Sequence, residues 1–336
     1  MDSLTHIAVG ACMGEAFAGR TVGRKAMLWG ILAQSIPDID FIASFWLSTP
    51  DNLLAHRGFT HSLLFGAMIT PIMAFFAERW HRPHNISLRR WMAFFFTVIF
   101  GHLFLDAFNN YGVGWFEPFS HYRISFNAIY VADPFFSIWS AIALVALLVS
   151  KRGSPKRVFW WRFGLIMSAV YLAYCTFNKL TINSDVKTIL AKEAVSHDRF
   201  FTTPAPLQNW LWYVVAGNDS GYYVGYRSVM DKEKKITFEF FPRNQSLLLP
   251  YADDPDLKKL IRFSQNYYTA EYYGDTLVFN DLRFGQVIGW HAPRERFAFH
   301  YFLQFPKDNV LVVQRGRFAK WDWNIVQSLW KRMKGD

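Results

Sequence analysis

Long apolar segments in the first half of this 336-residue chain limit what it can fold into. A bilayer core takes roughly 20 apolar residues as a helix. Two segments approach that length, Asn127–Ser150 and Phe163–Phe177, and two more are interrupted by polar groups, His61–Ala77 and Trp91–Phe108. Charged residues make up only 18% of the chain, against about a quarter in soluble domains. The sequence therefore predicts an integral membrane protein.

Two shorter segments rich in small residues, Thr5–Ala18 and Lys25–Ile36, precede these four. Small side chains let helices approach closely inside a membrane, so both segments can join a bundle without a full-length apolar run. We therefore expect a membrane all-α helical bundle of about six helices over residues 1–178.

Basic residues are distributed unevenly among the loops that join these helices. Several arginines and lysines follow the first, third and fifth helices, whereas loops 37–60 and 109–132 carry one arginine each, Arg57 and Arg123. Lysine and arginine accumulate in cytoplasmic loops, which also accounts for the net charge of +10 without a nucleic-acid partner. The prediction is a multi-pass protein of the cell (inner or cytoplasmic) membrane, with both termini and these two loops outside.

The pattern changes after Asn178 to alternation of apolar and polar residues, as in Ile236–Phe240, which is typical of half-buried strands. Asp254-Pro255 predicts the start of a helix, and a last amphipathic helix is predicted from about Trp321 to Met333. The other predicted strands are Leu211–Val215, Tyr222–Val229, Thr276–Asn280, Phe297–Phe305 and Asn309–Gln314. Residues 179–336 are therefore expected to form a soluble extracytoplasmic α+β domain.

The apolar segment Trp91–Phe108 contains two ionisable residues, His102 and Asp106. Because they are four residues apart in a helix, they lie on one face. Ionisable groups inside a membrane helix are costly and usually mark a functional site, although a histidine can also pair with its own aspartate as structural support. The pair by itself leaves both interpretations open.

Further histidines and aspartates lie at the same predicted membrane face, at the ends of other helices. Their positions are His6, Asp38, Asp40, His56 and His61. Imidazole and carboxylate groups are the usual ligands of zinc and related divalent ions. Because five segments converge, we predict a site for one or two divalent metal ions, zinc by preference. Its predicted ligands are His6, Asp40, His61, His102 and Asp106.

The remaining polar residues at this face receive other predicted roles. Asp38 and His56 are expected to bind a second metal, to support the ligands, or to act as a general base. Arg57 and Arg123 are candidates to neutralise a phosphate or carboxylate, because guanidinium groups match those anions. His121 is on the same side and is a candidate further ligand.

Several short motifs occur together in the first half of the chain. They are Asp2-Ser3-Leu4-Thr5-His6, Pro37-Asp38-Ile39-Asp40, the run from His56 to Ser62, Gly101-His102 through Asp106, Asn110-Tyr111-Gly112, Pro118-Phe119-Ser120, Arg123 and Asp133-Pro134. In this order they resemble the YdjM-like family of membrane-associated metal-dependent hydrolases. The later run Asp281-Leu282-Arg283-Phe284-Gly285 is similar to the tail domain of longer members. The resemblance implies a helical membrane fold and a hydrolase activity.

A more distant likeness is to zinc-dependent phospholipase C and P1-type nucleases. These helical proteins share a His-x-x-x-Asp helix like His102–Asp106, but their further histidine and glutamate set has no counterpart placed here. That departure favours one or two metals over three.

The sequence as a whole predicts a membrane-bound metal-dependent hydrolase. Its expected substrate is a membrane lipid or a lipid-linked (phospho)ester at the outer face of the membrane. One alternative is a non-enzymatic membrane adaptor with a structural metal site, whose soluble domain binds a protein partner. Another is a metal or proton transporter, which ligands confined to one face disfavour.

The soluble domain is expected to govern the choice of substrate or partner and to supply no metal ligand. Its histidines, His197, His291 and His300, are scattered along the chain. Asp281 and Arg283 are the residues predicted to lie nearest the mouth of the metal site.

Overall fold

A computed structural model describes residues 1–82, 86–305, 309, 318 and 320–335 of this chain. The chain divides into two compact units, which we call the helical unit and the sheet unit. The helical unit comprises Met1–Phe45 and Ala55–Thr176, and the sheet unit comprises Trp46–Leu54 and Phe177–Asp336. A short segment from the first half of the sequence, Trp46–Leu54, is thus part of the sheet unit.

Helices dominate the first half of the chain. They are α1 (Ser3–Val22), α2 (Arg24–Ser35), α3 (Thr49–Ala55), α4 (Leu63–Trp80), α5 (Leu88–Asp106), α6 (Pro134–Val149) and α7 (Lys156–Lys192). Among the described residues, α4, α5 and α7 are long and apolar enough to cross a membrane, and α6 is apolar but shorter. The helical, membrane-type character of this region is confirmed, whereas a bundle of six membrane helices stays a prediction.

Helices α1 and α2 pack closely because glycines face the neighbouring backbone. A Cβ atom on Gly30 would overlap the backbone carbonyl of Gly10, and one on Gly14 would overlap that of Ala26. Gly23 joins the two helices with a φ of 66°, in the left-handed region that favours glycine. The small residues of these two segments thus allow the close approach that their composition predicts.

The packing of α5 sets the rotation of its last turns. Phe95, Val98 and Ile99 of α5 are buried in one core with Ala33 of α2 and Ala74 of α4. Residues four and seven positions further along a helix return to the same face. His102 and Asp106, which follow at these spacings, therefore also face the interior and are fully buried.

The sheet unit contains two antiparallel sheets whose strands follow sequence order, β1-β2-β3-β4 and β5-β6-β7. The strands are β1 (Arg199–Pro204), β2 (Leu211–Gly217), β3 (Gly221–Ser228), β4 (Glu239–Pro242), β5 (Tyr268–Tyr273), β6 (Thr276–Gln286) and β7 (Phe297–Phe302). The helices α8 (Pro255–Phe263) and α9 (Trp323–Met333) belong to the same unit.

Strand β2 is buried along its whole length because both of its faces are covered. Trp212 and Val214 on one face pack against the C-terminal part of α7. Tyr213 and Val215 on the other face pack against β6 and β7 of the second sheet. A strand that is covered on both faces is apolar along its whole length, which explains the continuous apolar run of β2.

Four strands predicted from alternation are confirmed as β2, β3, β6 and β7. The predicted start of α8 is confirmed too, since the side chain of Asp254 accepts a hydrogen bond from the backbone N–H of Asp256. The run Ile236–Phe240 becomes a strand only near its end, in β4. The predicted strand Asn309–Gln314 falls outside the described residues except for Asn309.

Candidate metal centre

Short 3-10 helices and the end of α5 bring the predicted site residues together. The helix Pro37–Phe45 carries Asp38 and Asp40, and the helix Phe59–His61 ends at His61. Helix α2 ends at Ser35, Ile36 keeps helical backbone angles, and the 3-10 helix begins at Pro37. Three predicted ligands lie in the first or last turn of a helix, namely His6, His61 and Asp106. Asp40 and His102 lie in the interior of a helix.

Asp38, His61, His102 and Asp106 form a group that could hold a metal ion, with one ligand atom from each lying within 4.8 Å of the others. His61 Nε2 is 3.1 Å from His102 Nε2, 3.4 Å from Asp38 Oδ1 and 3.5 Å from Asp106 Oδ2. Three of the side chains are fully buried, whereas that of Asp38 is 18% exposed. We call these four residues the metal group.

Hydrogen bonds on the far side of each imidazole determine where its proton lies. His102 Nδ1 is 2.6 Å from the backbone oxygen of Gln34, which can only accept, so a neutral His102 carries its proton on Nδ1. His61 Nδ1 is 3.3 Å from the carboxylate oxygen Asp40 Oδ2, which favours the same tautomer. Both Nε2 atoms therefore present lone pairs to the metal group.

The metal group therefore consists of two acceptor nitrogens and two carboxylates. Like-charged or lone-pair groups at these distances repel one another unless a cation or protons lie between them. Asp106 Oδ2 is buried and accepts no hydrogen bond from the described residues, although Arg57 Nε forms an ion pair with it at 3.1 Å. The donor set and this atom both fit a divalent ion such as zinc.

Asp40 lies on the outer side of His61 and joins several elements. Its Oδ2 accepts hydrogen bonds from the backbone N–H of Arg57 at 2.7 Å and from Thr60 Oγ1 at 3.0 Å. Its Oδ1 lies 3.0 Å from His56 Nδ1. A carboxylate behind a histidine ligand orients the ring and raises its basicity. The geometry thus gives Asp40 a supporting position, and its predicted ligand role stays a prediction.

His6 lies beside the metal group. Its Nε2 is 3.1 Å from Asp106 Oδ1, and its ring stacks on that of His102 with 3.9 Å between centroids. Asp2 caps α1 by accepting a hydrogen bond from the backbone N–H of Thr5, which places His6 in the first turn. The amino group of Met1 also contacts Asp106 Oδ1. His6 is therefore close enough to orient Asp106, and its predicted ligand role is likewise untested.

Arg57 is a buried hub between the metal group and the loop after α5. Its backbone has a φ of 57°, in the left-handed region. Besides its ion pair with Asp106, Nη1 donates to Asn109 Oδ1 at 2.6 Å, and the guanidinium lies over the Tyr111 ring at 5.1 Å. The positive charge of Arg57 therefore partly offsets the negative charge of the carboxylates in the metal group.

Arg123 and His121 are placed differently from Arg57. Arg123 is buried, and its Nη2 donates to the backbone oxygen of His56 at 2.8 Å. His121 is exposed and lies 2.8 Å from Glu117. Arg123 therefore supports the turn that carries His56, and His121 pairs with Glu117 rather than with the metal group.

The carboxyls of the first 3-10 helix are ionised at neutral pH. Burial raises the pKa of Asp38, but the neighbouring imidazoles of His61 and His102 outweigh it and bring the pKa to about 2. Burial opposes ionisation of Asp40 too, and hydrogen bonds from His56 and His61 hold its pKa well below the usual range. Burial lowers the pKa of His56 against the effect of Asp40, which favours the neutral imidazole.

Gln34 and Asn109 are site residues that the sequence does not single out. Gln34 supplies the carbonyl that orients His102, and its side chain bonds His6 Nδ1 at 3.2 Å. Asn109 Oδ1 accepts a hydrogen bond from the guanidinium of Arg57. The sequence signal that could have indicated Gln34 is an amide at the end of the apolar run Ala26–Ala33, because a buried amide needs hydrogen-bond partners.

Comparison with known proteins identifies relatives of the first part of the chain. Inner membrane protein YbcI of Escherichia coli (strain K12) is 30% identical over 155 residues, which are 45% of this chain and 81% of YbcI. The uncharacterized protein YfhP of Bacillus subtilis (strain 168) is 31% identical over 172 residues, 47% of this chain and 49% of YfhP. No solved structure matches significantly, and none of these comparisons shows the likeness to phospholipase C or P1 nucleases.

A family model described as YdjM inner membrane protein matches residues 1–182, which is more than half of the chain. The match includes every residue of the metal group and the motifs between Asp2 and Pro134 on which the resemblance was based, but not the run Asp281–Gly285. The relative YbcI is itself named an inner membrane protein, in agreement with the three apolar helices long enough to cross a bilayer among the described residues. The chain therefore belongs to the YdjM family of inner membrane proteins.

Proposed function

We propose that this chain is a membrane-bound metal-dependent hydrolase that acts on a lipid or a lipid-linked phosphoester. One observation carries the proposal: two histidine nitrogens and two carboxylates converge within 4.8 Å, and the tautomers leave no proton donor among them. A divalent ion bound there supplies Lewis acidity, which activates water and polarises the scissile group. One or two ions, zinc by preference, suit this nitrogen and oxygen donor set.

Access to the metal group supports a reactive site over a closed one. His61, His102 and Asp106 are fully buried, whereas Asp38 is partly exposed. Asp38 is therefore the side from which a substrate would reach the group. Structural zinc sites, in contrast, are usually closed by their four protein ligands.

His56 is the proposed general base. Its side chain is 37% exposed, and Asp40 fixes its ring through Nδ1, which leaves Nε2 to accept a proton from water. Asp38 is the alternative base, since it is the exposed carboxylate of the metal group. Arg57 and Arg123 complete the proposed catalytic set as nearby positive charge, which favours an anionic substrate.

The proposed site lies at the outer face of the cytoplasmic membrane, as the loop charges predict. Reporter fusions after Arg90 and after Arg157 are expected to be cytoplasmic, whereas fusions after Thr49 and at the C-terminus are expected to be external. Alkaline phosphatase and green fluorescent protein activities distinguish the two sides. A cytoplasmic C-terminus would contradict both the helix count and the placement of the site.

Hydrolysis is tested with purified protein in detergent micelles. Phosphatidylglycerol, phosphatidic acid and a polyprenyl diphosphate are offered with added zinc or with a chelator, and the released products are measured. We expect turnover of at least one lipid that chelator and His102→Ala abolish. His81→Ala is the matched control, because His81 is a buried histidine that bonds Trp29 Nε1 away from the metal group.

A structural metal site in a membrane adaptor is the second candidate function. Four protein ligands are enough to close a tetrahedral site, and the metal group has four. Stoichiometric metal that resists exchange, together with no turnover of any lipid offered, would favour this adaptor. The sheet unit would then be the region proposed to bind a protein partner.

A further inference from the structure

Exposed aromatic rings lie on the two 3-10 helices that carry Asp38 and His61 and on the loop 113–126. The most exposed are Phe119 at 84% and Phe45 at 78%. They belong to the helix Pro37–Phe45, the helix Phe59–His61 and the loop 113–126, all in the helical unit. We call the following set the aromatic rim: Phe41, Phe45, Phe59, Phe116, Phe119 and Tyr122.

Hydrogen bonds join the three segments around the candidate metal centre. The backbone N–H of Gly114 donates to the backbone oxygen of Arg57 at 2.9 Å, and that of Leu63 donates to Trp115 at 2.9 Å. The backbone N–H of Arg57 in turn donates to Asp40 at 2.7 Å. The rings of the aromatic rim are therefore fixed on one framework with the site residues.

In these segments most charged side chains are turned inward and aromatic side chains are turned outward, which is the opposite of a surface that faces water. The carboxylates and arginines in and beside these segments are buried or only partly exposed: Asp38, Asp40, Arg57, Glu117 and Arg123. His121 is exposed and pairs with Glu117. The six rings of the aromatic rim are turned outward. In a soluble loop the charged groups face water, and contiguous exposed apolar surface marks an interaction site.

The apolar surface continues into the membrane helices. Helix α4 begins directly after the helix Phe59–His61, and its first residues, Leu63 and Leu64, are also exposed. Both α4 and α5 are long and apolar enough to span a bilayer. Apolar faces rich in phenylalanine and leucine are buried at the boundary between headgroups and acyl chains, where tyrosine and tryptophan also concentrate.

We propose that the aromatic rim is inserted in the phospholipid interface on the side of the metal group, so that the site opens toward the bilayer. The partner is the boundary between headgroups and acyl chains, not a second protein. This surface holds whether or not the chain is a hydrolase. If the proposed function also holds, the substrate is an amphiphile whose scissile ester lies at that depth. Such a substrate enters the site laterally from the bilayer.

Spin labels measure the depth of the rim without requiring turnover. The full chain, with Cys12 and Cys175 replaced by alanine, carries a nitroxide at Phe119→Cys or at Phe45→Cys and is reconstituted in phosphatidylcholine and phosphatidylglycerol vesicles. Collision rates with oxygen, which dissolves in lipid, are compared with those of a water-soluble nickel complex. Val145→Cys in apolar α6 serves as the lipid control, and Lys151→Cys after α6 as the water control.

Both rim labels are expected to resemble Val145→Cys, with oxygen collisions exceeding nickel collisions. Labels that resemble Lys151→Cys would show a rim in water and overturn the proposal. Labels protected from both agents would show a rim covered by protein, which overturns it equally. Retained metal content confirms that each labelled variant is folded. Lipid-like labels without any hydrolysis would preserve this surface while refuting the proposed function.

Discussion

Buried charges are arranged differently in the sheet unit and in the helical unit. In the sheet unit two buried arginines each meet an acid: Arg283 Nη2 lies 2.6 Å from Asp281 Oδ2, and Arg227 Nη2 lies 3.1 Å from Asp185 Oδ2. In the helical unit, His61 and His102 direct acceptor nitrogens at each other and at carboxylates. The buried arginines of the sheet unit are thus neutralised by their partners, whereas the histidines and carboxylates of the metal group converge as acceptors.

This difference separates a structural from a functional use of buried charge. A buried pair that satisfies its own charges requires no ligand, although removing one partner is costly. Converging acceptors are unfavourable unless a cation joins them, so they indicate a binding site. Asp281 and Arg283 bond to each other beside Phe263, and their predicted place near the metal site stays a prediction.

The largest expected effect is on bound metal. His61→Ala and His102→Ala each remove a nitrogen from the metal group, so purified protein should lose its bound metal, as measured by elemental mass spectrometry. His81→Ala should retain it. Full metal content in both site variants would show that the convergence of acceptors is not a metal site and would break the comparison.

The sheet unit should respond in stability and not in metal content. Arg283→Met leaves Asp281 buried without its partner and should destabilise the unit by about 3–5 kcal/mol. The double variant Asp281→Leu/Arg283→Met should recover most of that loss, because no unpaired charge remains. Thermal unfolding followed by tryptophan fluorescence measures both. A loss of metal in Arg283→Met would instead support the predicted place of this motif near the site.

A smaller effect is expected for the group behind His61. Asp40→Asn keeps the size of the side chain but weakens its hold on His61 Nδ1, so metal affinity should fall about 10–100-fold. Competition with a fluorescent chelator measures the change. A loss as complete as in His61→Ala would support the predicted role of Asp40 as a direct ligand.

The smallest effect is expected in the segment Trp46–Leu54. Lys259 Nζ lies 2.8 Å from Asp51 Oδ1, and both side chains are partly exposed, so Lys259→Ala should cost at most about 1 kcal/mol. Bound metal should not change. Loss of metal in this variant would mean that the sheet unit controls the site residues on either side of the segment, and the two units would no longer be separable in function.

Local patterns in the sequence were sufficient for several features. Apolar length predicted α4, α5 and the N-terminal part of α7, and alternation predicted β2, β3, β6 and β7. The four-residue spacing placed His102 and Asp106 on one helix face, and both are in the metal group. These features depend on neighbours within a few turns of chain, which is the range over which hydrophobic periodicity operates.

Tertiary structure decided which polar residues form the metal group. Asp38 and Asp40 are two residues apart in the 3-10 helix Pro37–Phe45, which at about three residues per turn points them to different sides, Asp38 into the group and Asp40 behind His61. No local pattern predicts that helix type, the carbonyl of Gln34 on His102, or the place of Trp46–Leu54 in the sheet unit. The sequence by itself determined the residue types and the helix face, whereas long-range packing determined which atoms meet, because it sets the rotation of each segment against its neighbours.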